Sequence, residues 1–230
     1  MVTDCLVIAV DGPSGSGKSS AARGVARALG SRYLDTGAMY RALTWWMLGH
    51  GVDLTRPEAI ATAAGQADLT VSTDPDHSLV QVDGTDVSSA IRTRQVSNSV
   101  SAVAAVPEVR ARLIAMQQAI IAQACAAGDG IVAEGRDIGT VVAPNAPVKV
   151  FLTASEPIRA RRRSADLAAD PAATVTVTQA EQERRDRADA PQTVMASDAV
   201  EIDSSGLALD EVVGAILALV RQRTSAAWSR

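Results

Sequence analysis

Apolar positions along this chain alternate between two kinds of pattern, and the changes mark its elements. Cys5-Leu6-Val7-Ile8-Ala9-Val10 is a short continuous apolar run, as are Ile131-Val132-Ala133 and Val148-Lys149-Val150-Phe151-Leu152 with a single interruption. Runs of this length and content predict parallel strands covered on both faces. Between them the spacing changes to threes and fours. Ser20 to Leu29 carries Val25, Ala26 and Leu29 on one side and Arg23 and Arg27 opposite, then stops at Gly30, as a helix closed by a left-handed glycine does. Helices are likewise predicted from Met39 to His50, in a short piece within Asp53 to Ala67, over Ser97 to Ala105, and over Pro107 to Ala127. The last would bury Val109, Leu113, Met116, Ile120 and Ala124 as one stripe. Further helices are expected at Pro157 to Leu167, Gln179 to Ala188 and Leu209 to Arg221, with a strand at Ala199 to Ile202. Asp170 to Thr174 is expected to be mobile.

One stretch departs from this alternation. Leu69-Thr70-Val71-Ser72 and Leu79-Val80-Gln81-Val82 flank Asp74-Pro75-Asp76-His77, and Asp83-Gly84 marks a second turn. Residues 68–92 therefore read as a small antiparallel insertion. The rest is strand, helix, strand throughout. The expected fold is an α/β, three-layer, open and mainly parallel five-stranded sheet with helices on both faces, built from 1–67, 93–157 and 192–230. Residues 158–191 form an arginine-rich region between these parts.

Composition narrows the chemistry. Of 230 residues 47% are hydrophobic and only 3% aromatic, so alanine, valine and leucine fill the core and base-stacking platforms are disfavoured. The formal charge is -4, which argues against a nonspecific nucleic-acid binder or a protein held on anionic lipid. Yet arginines bunch at Arg159, Arg161, Arg162 and Arg163, and again at Arg184, Arg185 and Arg187, a pattern that suits a small phosphorylated substrate. The two cysteines, Cys5 and Cys125, read as small buried apolar residues rather than a disulfide framework. With no long apolar segment, a cytoplasmic monomer without membrane or nucleic-acid partners is expected.

The sharpest signal follows the first strand. Gly12-Pro13-Ser14-Gly15-Ser16-Gly17-Lys18-Ser19 matches the phosphate-binding octet G-x-x-x-x-G-K-[ST] in full, in its strand-then-helix context, with Ser20 next. The glycines let backbone N–H groups face phosphate oxygens, Lys18 reaches the outer phosphates as a point charge, and the Ser19 hydroxyl can ligate Mg²⁺. The helix that follows adds its positive end. A GTPase would carry an Asn/Thr-Lys-x-Asp segment, and none is present. A small kinase remains. Two further polar segments leave strand ends, where an open α/β sheet holds its ligands: Asp35-Thr36-Gly37-Ala38-Met39-Tyr40-Arg41 and Glu134-Gly135-Arg136-Asp137-Ile138-Gly139-Thr140.

These segments, with Asp86-Val87-Ser88, Ile91-Arg92, Val141-Val142 and Ala146 to Leu152, resemble the cytidylate kinase family in its bacterial form over almost the whole chain, most weakly from Asp166 to Ala196. The resemblance implies transfer of the γ-phosphoryl of ATP to CMP or dCMP, with Mg²⁺ required. It implies that residues 12–20 and Arg161 hold ATP. Thr36, Arg41, Ser101, Arg110, Arg136, Asp137 and Asp189 would meet the acceptor. Arg41 and Arg136 would take its phosphate, Ser101 its base with help from Arg110, and Asp137 its sugar. Lys18, Arg136, Asp137, Arg184 and Arg187 would form the catalytic set, and the arginine-rich region 158–191, around Arg159 to Arg163 and Arg184 to Asp189, would close as a lid over the phosphates. For Asp137, a magnesium-water role or simple pairing with Arg136 stands beside sugar contact. Ser101 could equally cap a helix, and Arg110 could be a solvated helix residue. Asp35 reads as holding a loop or a water rather than acting as a base, since phosphate needs none.

One segment departs from the family. It normally shows Arg-Asp-x-x-Asp-Ser-x-Arg before an Ala-x-x-Pro-Leu stretch, the final arginine contacting the acceptor phosphate. Here Arg185-Asp186-Arg187-Ala188-Asp189 runs directly into Ala190-Pro191-Gln192, about four residues short and without that arginine. Arg187 or Arg184 could replace the charge. The open alternatives are a kinase for another small acceptor such as UMP, and a nucleotide-binding protein with impaired catalysis.

Overall fold

The computed structural model describes residues 5–166 and 174–227. In chain order its elements are β1 (Val7–Asp11), α1 (Lys18–Leu29), β2 (Arg32–Asp35), α2 (Thr36–Gly49), α3 (Pro57–Ala63), β3 (Leu69–Val71), β4 (Val80–Val82), β5 (Thr85–Asp86), α4 (Arg94–Ala104), α5 (Pro107–Ala126), β6 (Ile131–Gly135), β7 (Val148–Thr153), α6 (Glu156–Asp166), α7 (Val175–Asp189), β8 (Val200–Asp203) and α8 (Leu209–Ala227). Five strands form one sheet in the order β2-β6-β1-β7-β8, every pair parallel. The remaining three, β3-β4-β5, form the small antiparallel sheet that the change of period marks.

Alternate residues of β1 supply two separate cores, as strand geometry dictates. Val7 and Ala9 pack on the side of α2, α4 and α5, with Met39, Leu43, Met47 and Leu113. Ile8 and Val10 face α1 and α8, with Val25, Ile216 and Val220. The small sheet closes against α2 through Leu69, Val80 and Val82, and Trp46 Nε1 donates to Asp83 Oδ2 at 2.6 Å. All five β1 residues are buried, which explains why its sequence shows no polar alternation.

Several boundaries move, two of them because a side chain caps the helix earlier than expected. Helix α2 starts at Thr36, ahead of Met39, because the Asp35 carboxylate caps the Ala38 N–H at 2.8 Å. Helix α4 starts at Arg94 rather than Ser97. Helix α7 starts at Val175, four residues early, because Thr174 caps it through the Val177 N–H. Residues 170–173 of the segment expected to be mobile, and the expected helix end at 167, lie outside the described residues. Along α5 the buried stripe is Val109, Leu113, Gln117, Ile121 and Ala124. Met116 and Ile120 lie at its edge, half-buried. A buried glutamine is what hid this phase from a count of apolar residues.

The cysteines also differ from expectation. Cys5 and Cys125 are joined as a disulfide across 120 residues. Strand β6 follows α5 closely and lies beside β1, with Val7 opposite Ile131, so the entry to β1 meets the end of α5. That proximity comes from sheet order and is invisible in the spacing of the two residues. Among the described residues, no helix is long and apolar enough to cross a membrane.

Candidate functional site

The octet turn lies between β1 and α1, and it is anchored from three directions. Gly12 has φ +145, and a Cβ there would fall 2.1 Å from the Leu152 carbonyl oxygen of β7, so only glycine fits. The Ser14 carbonyl accepts from Arg159 at 3.0 Å and from Gln182 at 3.4 Å. The Ser16 carbonyl accepts from Ser204 Oγ at 2.9 Å and Arg162 at 3.3 Å. Ser14, Gly15, Gly17, Lys18, Ser19 and Ser20 line the adjoining cleft, whereas the buried Gly12 and Ser16 and the half-buried Pro13 do not. The cleft volume is about 940 Å³, at the upper end for a small-molecule site and roomy enough for two nucleotides.

Lys18 opens α1 and is buried, its Nζ donating to the Pro13 carbonyl at 2.7 Å. Burial, reinforced by the Arg136 charge, pushes its ammonium down to about 7. Glu134, in register with Val10 across β1 and β6, is buried beside it. The Glu134 carboxyl is pushed up, first by burial and then by Asp35, while Lys18 and hydrogen bonds from Ser19 and Tyr33 pull it down. Tyr33 donates its hydroxyl to Glu134 at 2.7 Å. Among the described residues no cluster of three or more His, Cys, Asp or Glu could hold a metal on its own. The Ser19 hydroxyl against the Glu134 carboxylate instead offers a hard, two-oxygen corner. It fits a Mg²⁺ that brings its own phosphate oxygens and water.

The other half of the cleft is cationic, with most cations held by a carboxylate. Arg41 pairs with Asp35 at 3.1 Å, and Arg92 lies 3.8 Å from the same carboxylate. Arg110 pairs with Asp137. Arg136 donates to the Gly12 carbonyl at 3.0 Å and meets Asp189 at 3.4 Å, while Ser101 Oγ donates to Asp189 at 2.7 Å. Asp11 at the end of β1 accepts the N–H groups of Ile138 and Gly139 at 2.9 and 2.8 Å. That grip fixes the turn after β6 and so aims Arg136 and Asp137. Thr36 lines the cleft but gives its hydroxyl to the Glu134 carbonyl at 2.7 Å. Arg185 is buried, its Nε has no hydrogen-bond partner, and burial with the charge of Arg136 brings it down to about 10, still protonated at neutral pH. Arg41 Nε is unpartnered as well. Buried guanidinium donors left unsatisfied at a cleft wall fit an anionic ligand.

The sequence expectation and the structure part company on α6 and α7. Arg161, Arg184 and Arg187 are exposed and do not line the cleft; Arg187 Nε donates to the Glu183 carbonyl of its own helix. Their neighbours Arg162, Arg163 and Arg185 line it instead. Helical phase decides this: in runs such as Arg161-Arg162-Arg163, adjacent residues point about 100° apart and the sequence offers no contrast between faces. Glu134 and Arg92 stand in segments that the sequence singles out, but neither is assigned a role there. Glu134 stands at the end of an apolar strand next to Gly-Arg-Asp, and a lone acid at a strand's carboxyl end was the available signal.

Comparison with known proteins places this arrangement. A family model described as cytidylate kinase matches residues 8–222. A cytidylate kinase of Streptomyces avermitilis is 48% identical over 225 residues, 96% of this chain and 95% of that protein. One of Mycobacterium leprae is 47% identical over 229 residues, 97% and 99% of the two chains. Among solved structures, an uncharacterized protein from Eubacterium ventriosum aligns with TM-score 0.50 at 10% identity, over 94% of this chain and 98% of that one, a likeness of fold alone.

Proposed function

We propose that this chain, which belongs to the cytidylate kinase family, transfers the γ-phosphoryl group of ATP to CMP or dCMP. The observation that carries the reading is one cleft in which the phosphate turn faces a second set of cations, Arg41, Arg136 and Arg185, beside the Arg110–Asp137 pair. Two phosphorylated molecules can meet there end to end.

In this mechanism the triphosphate lies on Gly15 to Ser20, with Lys18 at its outer phosphates. Ser19 and Glu134 would hold the Mg²⁺ that comes with the triphosphate, and the chemistry it would supply is neutralisation of charge on the transferred group. Arg41, Arg136 and Arg185 hold the acceptor phosphate so that one of its oxygens lies in line with the γ-phosphorus. That oxygen forms the new P–O bond, the bond to the β–γ bridging oxygen breaks, and ADP leaves with the electron pair. No base is required, so rate comes from alignment and charge stabilisation. Arg163 and Arg185, both facing the cleft, supply charge where the family's later arginine is absent.

Because Arg110 and Asp137 are bonded to one another, they meet the acceptor as a unit. A guanidinium donor beside a carboxylate acceptor suits cytosine, whose edge offers an amine next to acceptor atoms. Uracil would turn a carbonyl oxygen toward the carboxylate. Ser101 and Asp189, bonded to each other and flanked by Arg136, suit the sugar and phosphate side. This reading moves Asp137 from sugar to base.

A coupled assay with ATP and CMP, dCMP, UMP or AMP tests the proposal. CMP and dCMP should give kcat/KM values at least about tenfold above UMP, the worth of one well-placed polar contact. AMP used as well as CMP would refute it.

A further inference from the structure

Helix α7 touches both halves of the cleft. Toward the triphosphate side, Gln182 donates to the Ser14 carbonyl, and Asp186 pairs with Arg159 of α6, which grips the same carbonyl. Toward the acceptor side, α7 lies along α4. There Glu181 Oε1 accepts from Arg94 Nε at 2.8 Å and from Asn98 Nδ2 at 3.0 Å, and Arg94 Nη2 stands 2.7 Å from the same oxygen. Two turns further on, Asp189 accepts from Ser101. Arg94, Asn98 and Ser101 have the i, i+4, i+7 spacing of one helix face.

The ties between α4 and the two covering helices are of two kinds. Ser101–Asp189 and the bond from Arg163 to Ser97 Oγ at 2.7 Å involve cleft-lining groups that an acceptor can engage. Glu181, Arg94 and Asn98 do not line the cleft. Their bonds therefore persist while the ligand-facing ones are exchanged. Arg185 and Asp189 follow Glu181 at one and two turns, so the register fixed at Glu181 is the register in which those two groups enter the cleft.

We propose that Glu181 is a positioning residue: by clamping α7 onto Arg94 and Asn98 of α4 it holds Arg185 and Asp189 in place for the acceptor nucleotide. The proposal rests on the phosphoryl-transfer reading above. Loss of the clamp leaves the triphosphate turn intact but lets α7 ride away from α4, so the acceptor must pay for ordering it.

Glu181→Gln keeps the size of the side chain and removes its charge. The expected result is an acceptor KM raised about five- to tenfold, the scale of a partly exposed charge-assisted contact, with the ATP KM within about twofold of wild type. Trypsin should cut the acceptor-free variant faster at the exposed Arg184 and Arg187, and saturating CMP should restore protection. The exchanged pair Arg94→Glu with Glu181→Arg should recover much of the acceptor KM. A melting temperature that falls while acceptor KM and tryptic protection stay at wild-type values would reduce Glu181 to a structural residue and overturn the proposal. So would an equal rise in both KM values. If the wild-type enzyme phosphorylates neither CMP nor dCMP, the functional reading fails by itself, and the protection assay with CMP as a binding probe still judges the clamp.

Discussion

Lys18 gives the nucleotide affinity of this protein a calculable pH dependence. In the free enzyme burial and Arg136 hold its ammonium near 7. A bound triphosphate surrounds the same group with negative charge and keeps it protonated well above that. Binding above pH 7 must therefore take up a proton, and affinity is full below 7 and lost as the pH rises. With a free-state value of about 7, the charged fraction falls from about one half at pH 7 to about 3% at pH 8.5. ATP affinity should weaken about 16-fold across that window, roughly 1.6 kcal/mol. Mg²⁺-bound phosphates are already fully ionised there, so the lysine supplies the slope. Titration calorimetry at saturating Mg²⁺, in buffers of different ionisation enthalpy, measures both quantities. It should find uptake of about half a proton per ATP at pH 7, rising toward one at pH 8.5. Lys18→Met should bind weakly with a flat profile, and Lys18→Arg should be flat because its charge is permanent. A wild-type dissociation constant unchanged from pH 7 to 8.5, or zero proton uptake, would refute the argument that burial holds this lysine down.

Three other outcomes follow from the same geometry. Gly12→Ala forces a methyl into the Leu152 carbonyl in a backbone region alanine avoids; it should cost about 3 kcal/mol or more of stability, read by denaturant unfolding, and abolish nucleotide binding. Asp137→Asn replaces the carboxylate beside Arg110 with a group that can also donate, so the preference for CMP over UMP should fall about tenfold in kcat/KM, with ATP affinity unchanged. Arg185→Met should lower kcat/KM for CMP by about 10²–10³ while calorimetric ATP binding stays within about twofold of wild type; the exposed Arg184→Met and Arg187→Met serve as near-neutral comparisons.

The parts of this molecule that were legible in its sequence are those governed by local rules. The octet, the apolar strands and the turn chemistry of residues 68–92 each carry their own physical signature within a few residues. What escaped depends on which elements become neighbours. Cys5 and Cys125 meet only because β1 pairs with β6, and the α5 stripe passes through Gln117, which no apolar count includes. The choice of Arg185 over Arg184 turns on the phase of a helix whose apolar and charged residues are not segregated. Glu134 is the instructive omission. Its acidity makes sense at the end of a buried strand only once Lys18 of the neighbouring turn and the Ser19 hydroxyl are seen to converge on it.

That convergence extends to the whole cleft and accounts for how a chain of net charge -4 can present a site for anions. Arg41, Arg110 and Arg136 do not stand free; Asp35, Asp137 and Asp189 hold them in fixed directions. Such pairing limits mutual repulsion among guanidinium groups crowded around one cavity, and it preorganises the forks before a ligand arrives. It also sets a threshold for entry. A ligand must offer these arginines more than the carboxylates already do, and an ionised phosphate, with more charge and an extra oxygen, does so where a neutral sugar or a single carboxylate does not. Arg185 stands apart. Its buried Nε, like that of Arg41, has no partner to exchange, and unlike Arg41 it is in no ion pair with a carboxylate among the described residues, so the binding free energy it contributes to an acceptor phosphate is not reduced by a bond lost there. For that reason the largest single loss of acceptor recognition is assigned to Arg185 rather than to the paired arginines. A mutational series across Arg41, Arg110, Arg136 and Arg185 that ranks Arg185 last would show that pairing, and not orphaned charge, is what the site uses.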